Sequence, residues 1–339
     1  MAERALNPAA YLYMGRNTVR DGVCWLGWSA SSLGFETDAK SVTLSLCTDA
    51  APLEPAFRCR GALLLDGGCA RVFMLQGDEE LRLPLDGNVH RVELVRLSEA
   101  AFGALGVRAI HADGEVRALK KPRRTIEFIG DSITCGYGVE AGPADTFSTS
   151  TENPLEAYAY LAAKELGCGY SLVSWSGIGL ISDWVPDTAV SPDTTVLMPS
   201  LYPLENMRLY ERLGAQSPAY DFAGSQIDAV VINLGTNDQS WVRGIKDREA
   251  DFERAYRAFL AQVQACRPGC PILCTLGVMG TSLCAAAERA ANAYEGTAFL
   301  PLPEQVPRDG LGADSHPSKI TQQKTAALVA KKLRELNWL

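Results

Sequence analysis

Thr125-Ile126-Glu127-Phe128-Ile129-Gly130-Asp131-Ser132-Ile133-Thr134 is the stretch at which the 339-residue chain changes rhythm. Thr125 to Ile129 reads as a short apolar strand, and Gly130-Asp131 marks where the chain leaves it. Downstream, strand candidates recur at Tyr170 to Trp175, Ile227 to Leu234, Pro271 to Leu276 and Thr297 to Leu302. Amphipathic helices fall between most of them. Pro154 to Leu166 places Leu155, Tyr158, Ala162 and Leu166 on one face, and Arg248 to Cys266 does the same with Phe252, Tyr256, Phe259 and Val263. Ser318 to Leu336 is a closing helix behind Pro317. Strand and helix alternating in this way imply an α/β domain, a parallel sheet covered on both faces. Functional groups then collect at the carboxyl ends of the strands. The segment from Ile181 to Ser225, rich in Pro, Asp, Ser and Tyr, fits neither period and is expected to form long loops at that edge.

Upstream of Pro122 the pattern is different. Ser41 to Cys47 puts Val42, Leu44 and Leu46 on one face, Ala70 to Gln76 alternates similarly, and Val89 to Leu97 follows an Asp86-Gly87-Asn88 turn. Short alternating strands between turns suit an antiparallel β-sandwich. The expected division is a sandwich over residues 1–120 and an α/β domain over residues 121–339. Lys120-Lys121-Pro122-Arg123-Arg124, the densest basic run, reads as a solvated linker between them.

A net charge of −8 repels phosphate backbones, so no nucleic-acid partner is expected. The longest apolar runs fall far short of the roughly 20 residues of a membrane span. No basic stretch is joined to an apolar run at the amino end, so no signal peptide is read there. Ten cysteines without such a leader suggest reduced thiols and a cytoplasmic location. Cys266, Cys270 and Cys274 read as small apolar residues rather than metal ligands, because prolines and glycines break any common face and no histidine lies nearby.

Ser132 sits where the chain leaves the first strand of the second domain, a position suited to a nucleophile. A serine hydroxyl needs a neighbouring base, and the chain has three histidines. His90 and His111 fall in the first domain and read as surface or core residues. His316, in Gly312-Ala313-Asp314-Ser315-His316-Pro317, follows the last strand and precedes the final helix, at the same expected edge as Ser132. The positive end of that helix is expected to keep the imidazole neutral. Two further strand ends carry Ser174-Trp175-Ser176-Gly177-Ile178-Gly179 and Asn233-Leu234-Gly235-Thr236-Asn237-Asp238. A hydroxyl, an imidazole, a bare backbone amide and a carboxamide on four strand ends are what acyl transfer needs.

These four blocks, in this order, resemble the SGNH (GDSL-type) hydrolases, over about Arg124 to the carboxyl end. The resemblance implies a flavodoxin-like three-layer domain in which Ser132 attacks an ester carbonyl. It also implies an oxyanion hole made by the N–H of Ser132, the N–H of Gly177 and the side-chain amide of Asn237. The wording Gly130-Asp131-Ser132-Ile133-Thr134-Cys135-Gly136-Tyr137-Gly138 and Ser174-Trp175-Ser176-Gly177-Ile178-Gly179 is similar to carbohydrate esterase family 2. Members of that family carry an amino-terminal jelly-roll sandwich and remove O-acetyl groups from sugars and plant-polysaccharide oligosaccharides. The implied partner is an acetylated mono- or oligosaccharide, and no metal or organic cofactor is required. The general family pattern has an aspartate three residues before the histidine. Here that position is Ala313, and Asp314 is two before. Either Asp314 or a backbone carbonyl then orients His316, giving a triad or a Ser-His dyad.

Trp241, closely following the Asn237 block, is a candidate to stack on a sugar ring, with Trp175 and Trp184 as outside candidates. Asp131, beside the nucleophile, is placed with Trp241 and Trp175 among the substrate-binding candidates. Cys135 reads as packing. Two rival functions are another esterase of the same family, acting on lipids, thioesters or aryl esters, and a non-catalytic carbohydrate-binding protein.

Overall fold

A computed structural model describes residues 8–49 and 54–339. Met1 to Asn7, which bear on the leader reading, lie outside the described residues.

The alternation at Ser41–Thr48 becomes a strand with Val42, Leu44 and Leu46 buried, and it pairs antiparallel with Glu79–Pro84 so that Leu44 faces Leu81. One sheet runs in the order Asn17–Arg20, Val23–Leu26, Leu105–Ala112, Ser41–Thr48, Glu79–Pro84. The second runs Leu12–Met14, Ser32–Thr37, His90–Arg96, Arg60–Leu65, Gly68–Met74, with Val116–Ala118 also paired to Ser32–Thr37. Leu26, Leu33, Phe35, Leu44, Leu94 and Val107 fill the space between the sheets. This is an antiparallel sandwich of jelly-roll type.

The parallel sheet comprises β1 (Thr125–Gly130), β2 (Gly169–Ser174), β3 (Ala229–Asn233), β4 (Ile272–Leu276) and β5 (Thr297–Pro301), in the order β2-β1-β3-β4-β5. That is the flavodoxin-like order. Both of its faces are covered, so the strands show no polar face, yet the pleat still sorts their side chains. Phe128, Leu172, Val231 and Leu273 pack with Tyr158, Ala162, Val329 and Leu333 from the helices Tyr158–Glu165 and Lys319–Leu336. Ile129, Val230, Ile232 and Ile272 point the opposite way, onto Phe252, Tyr256 and Phe259 of Lys246–Cys266 and the alanines of Cys284–Ala291. The result is a three-layer α/β arrangement.

Sandwich and parallel sheet share buried charge. Glu127 of β1 is fully buried between Arg16, from the sandwich side, at 3.5 Å and Arg267 at 3.0 Å. Burial alone would raise its carboxyl pKa, but the two guanidinium groups override that and hold it below the ordinary value.

Two expectations differ in detail. Pro154 to Leu166 is not one helix, because Ala157 is extended (φ −83, ψ 153) between a single turn at Pro154–Glu156 and the helix Tyr158–Glu165. Ile181 to Ser225 contains two short helices, Met198–Leu201 and Met207–Arg212, and Asp183 bridges Asp193 at the base of a loop. Among the described residues, no helix is long and apolar enough to cross a membrane.

Candidate active site

Ser132 opens a four-residue helix, Ser132–Cys135, immediately past the end of β1. The chain turns there because Asp131 is extended (φ −107, ψ −152) and its carboxylate accepts the Ile133 N–H at 2.9 Å, capping the turn. His316 arrives from beyond β5 on a loop tied to the same turn, with Ala313 N–H donating to the Gly138 carbonyl at 3.1 Å. Its Nε2 lies 2.9 Å from the Ser132 hydroxyl. Nδ1 lies 3.2 Å from the Ala313 carbonyl, which makes Nδ1 the protonated nitrogen and leaves Nε2 free to accept the serine proton.

The Asp314 carboxylate does not bond the ring. Asp314 and Ser315 both adopt left-handed backbone angles (φ 49 and φ 64), rare for residues with a Cβ. The double turn brings the Ala313 carbonyl under His316 and sends the Asp314 carboxylate elsewhere, to accept the Tyr137 hydroxyl at 2.8 Å and the Phe147 N–H at 3.1 Å. Tyr137 in turn stacks on His316, with ring centroids 4.0 Å apart and planes within 26°, and Phe147 stacks on the far face of Tyr137. Sequence reasoning missed Tyr137, although it stands between the two glycines of Gly136-Tyr137-Gly138. Burial lowers the His316 pKa below its ordinary value, with the Ala313 carbonyl and Asp314 pulling the other way. Burial is thus a leading cause of the neutral ring.

The three expected oxyanion groups occupy three adjoining segments. Among the described residues, neither the Ser132 amide nor the Gly177 amide donates to another group. Gly177 has φ +84, in the left-handed region, and a side chain there would press on the Asp183 carboxylate. Asn237 is buried, and its Nδ2 donates to the Ile178 carbonyl at 2.9 Å, which leaves its second N–H available. Asp238 accepts the amides of Leu180, Ile181 and Ser182 at 2.7–3.3 Å and so holds the segment that follows Gly177. A side chain at Gly179 would run into the Ser182 carbonyl and the Asp238 carboxylate.

The substrate-binding candidates need correction. Asp131 is fully buried as the cap of the Ser132 turn, and burial pushes its carboxyl up to about 7, so it presents nothing to a ligand. Trp175 packs in the core with Met198, Leu201 and Val242 because it lies between the sheet and the helices above it. Trp241 is half-buried, and the Arg248 guanidinium sits 3.6 Å from its ring centre, covering one face. Trp184 is 61 % exposed, and its main-chain N–H donates to the Gly177 carbonyl at 2.9 Å, which fixes it beside the oxyanion segment. Cys135 is fully buried. His90 is held between Asp66 and Asp86 at 2.7 and 2.8 Å, within the sandwich.

Fold and site together define a hydrolase of the SGNH class. The chain belongs to the GDSL-like Lipase/Acylhydrolase family, whose model matches residues 128–322. It is similar to the cellulase/esterase CelE of Acetivibrio thermocellus, with 32 % identity over 263 residues, covering 74 % of this chain and 30 % of that protein. It is also similar to an acetylxylan esterase / glucomannan deacetylase of Cellvibrio japonicus, 28 % identical over 73 % of this chain and 67 % of that one. The chain therefore spans less than a third of the first of these relatives. Among solved structures, a family two carbohydrate esterase from Clostridium thermocellum in complex with cellohexaose matches with a TM-score of 0.83 and 26 % identity. That match covers 97 % of this chain and 100 % of that one. A carbohydrate esterase family 2 enzyme from Corynascus thermopiles, solved with a carbohydrate binding domain, matches with the same TM-score at 30 % identity and the same coverage.

Proposed function

We propose that this protein is a serine esterase that removes O-acetyl groups from sugars or plant-polysaccharide oligosaccharides through an acyl-enzyme. The observation that carries this reading is the 2.9 Å contact between Ser132 Oγ and His316 Nε2, made beside two amides that have no acceptor among the described residues. Attack by Ser132 passes its proton to Nε2, and the resulting imidazolium is held by its Nδ1–H on the Ala313 carbonyl. The negative oxygen of the tetrahedral intermediate is received by the amides of Ser132 and Gly177 and the free N–H of Asn237. His316 then returns the proton to the sugar oxygen, which leaves. Water, deprotonated by the same ring, attacks the acetyl-enzyme and releases acetate. A Ser-His dyad suffices for each of these transfers.

A carbohydrate leaving group is supported by the relatives, which are acetylxylan and glucomannan deacetylases and a family two esterase bound to cellohexaose. The exposed indole of Trp184, next to Gly177, offers an apolar face for a sugar ring. Acetate release from a panel of acetylated mono- and oligosaccharides, compared with p-nitrophenyl esters from acetate to octanoate, tests the proposal. The expected result is a preference for acetyl over longer acyl groups and release that disappears in Ser132→Ala. Better turnover of octanoate than of acetate would favour a lipase-like reading instead. Glycan binding without release by either protein would favour a binding module.

A further inference from the structure

Glu99 belongs to the sandwich side of the molecule, just beyond the strand His90–Arg96, and yet it reaches the active site. Its side chain is fully buried, and its Oε2 accepts the N–H of Ser176 at 2.5 Å. The same oxygen lies 3.4 Å from the thiol of Cys135, on the far end of the Ser132 helix. One carboxylate thus touches both the segment that carries Gly177 and the turn that carries the nucleophile. Behind it, the Glu152 carboxylate accepts the Glu99 main-chain N–H at 3.0 Å, and Arg96 holds the Glu99 and Phe102 carbonyls.

The segment Trp175 to Ser182 indicates what this contact does. The amide of Trp175 is bonded to the Gly130 carbonyl, that of Ile178 to the Trp175 carbonyl, and those of Leu180, Ile181 and Ser182 to Asp238. The Gly177 carbonyl is taken by Trp184 N–H. Ser176 is the residue whose amide is fixed from outside the α/β domain, and the next peptide N–H along the chain is that of Gly177. Ser176 and Gly177 are the central residues of the turn closed by Ile178 N–H on the Trp175 carbonyl. Without an acceptor at Ser176 the Trp175–Ser176 peptide would be held by that turn bond alone, and the next peptide, which carries the Gly177 N–H at a residue with φ +84, would be less firmly directed.

We propose that Glu99 is a positioning residue for the oxyanion site: by holding the Ser176 N–H, the sandwich domain sets the direction of the Gly177 N–H. The sandwich would then complete the catalytic site in addition to stabilising the fold. This inference rests on the esterase reading for its kinetic test, though not for its structural one.

The test uses the full chain with Glu99→Ala, Glu99→Asp and Glu99→Gln. Aspartate keeps a carboxyl group but withdraws the acceptor by one methylene, and it guards against failure of the alanine variant to fold. Glutamine keeps an acceptor of the same reach. Hydrogen exchange at the Ser176 amide and steady-state hydrolysis of an acetyl ester are read side by side. Glu99→Ala and Glu99→Asp should lose protection at Ser176 and lose roughly tenfold to a hundredfold in kcat, with KM changed less than about twofold, as for a reacting geometry displaced by a fraction of an ångström. Glu99→Gln should keep both. Full protection and kcat in Glu99→Asp would overturn the proposal, as would a loss carried by KM or a loss of equal size in Glu99→Gln. If wild type hydrolyses no ester, the esterase reading fails by itself, and exchange at Ser176 still decides whether Glu99 holds that amide.

Discussion

His316 directs its Nδ1 at the carbonyl of Ala313, 3.2 Å away, where the general pattern of the family places a carboxylate. Ala313 occupies the position of the missing aspartate, so the chain supplies its own main-chain oxygen at the point where a side chain is lacking. A carbonyl is a weaker partner for an imidazolium than a carboxylate is. It fixes the tautomer equally well, and burial of the ring provides the rest of the bias toward the neutral form.

Asp314 should therefore behave as a structural residue. In a Ser-His-Asp triad, replacing the aspartate by asparagine costs about 10⁴ in kcat. Here Asp314→Asn should cost less than about tenfold, measured as acetate release at neutral pH, because its contacts are Tyr137 and the Phe147 amide. A loss comparable to that of His316→Ala would restore Asp314 to a triad.

Tyr137 is expected to matter through its ring. Tyr137→Phe keeps the 4.0 Å stack on His316 and loses only the hydrogen bond to Asp314, so kcat should stay within about twofold of wild type. Tyr137→Ala opens space beside the imidazole and should lower kcat on the order of tenfold, the scale on which small misplacements of a reacting group are felt. Equal kinetics for the two variants would dismiss the stack as a positioning device.

Asn237 has one amide hydrogen committed to Ile178 and one to spare. If the spare hydrogen meets the oxyanion, Asn237→Ala should lose about a hundredfold to a thousandfold in kcat, with KM nearly unchanged. A near-neutral outcome would remove it from the site.

The pH dependence has a definite sign. The base must be unprotonated to accept the Ser132 proton, and the His316 pKa lies below its ordinary value because the ring is buried. Accordingly kcat/KM should be low in acid, rise with pH through a single step centred below about 6.5, and be flat at neutral pH. A step centred above 7 would mean that an anionic partner raises the ring's pKa, contrary to the carbonyl contact.

Much of this was legible in the sequence, for reasons that differ from residue to residue. The five parallel strands announced themselves because each is a short apolar run bounded by turn residues, and Ser132, Gly177 and Asn237 each follow one within four residues, whereas His316 comes fifteen residues after the last. The orientation of side chains was not legible. Asp131 and Trp175 sit next to site residues in sequence, yet tertiary packing turns them into the core. Whether Asp314 or Ala313 meets His316 depends on two left-handed backbone angles that no propensity reveals. Glu99 and Ser176 are 77 residues apart and in different domains, so nothing local in either segment points to their hydrogen bond.

The central claim is that Ser132 and His316 act as one unit on an acetyl ester, and a double-mutant cycle tests it most directly. Acetate release should fall by at least about 10⁴ in Ser132→Ala and in His316→Ala, and the double variant should be no worse than either, since a nucleophile and its base fail together. Losses that multiply in the double variant, or substantial release by Ser132→Ala, would contradict the account.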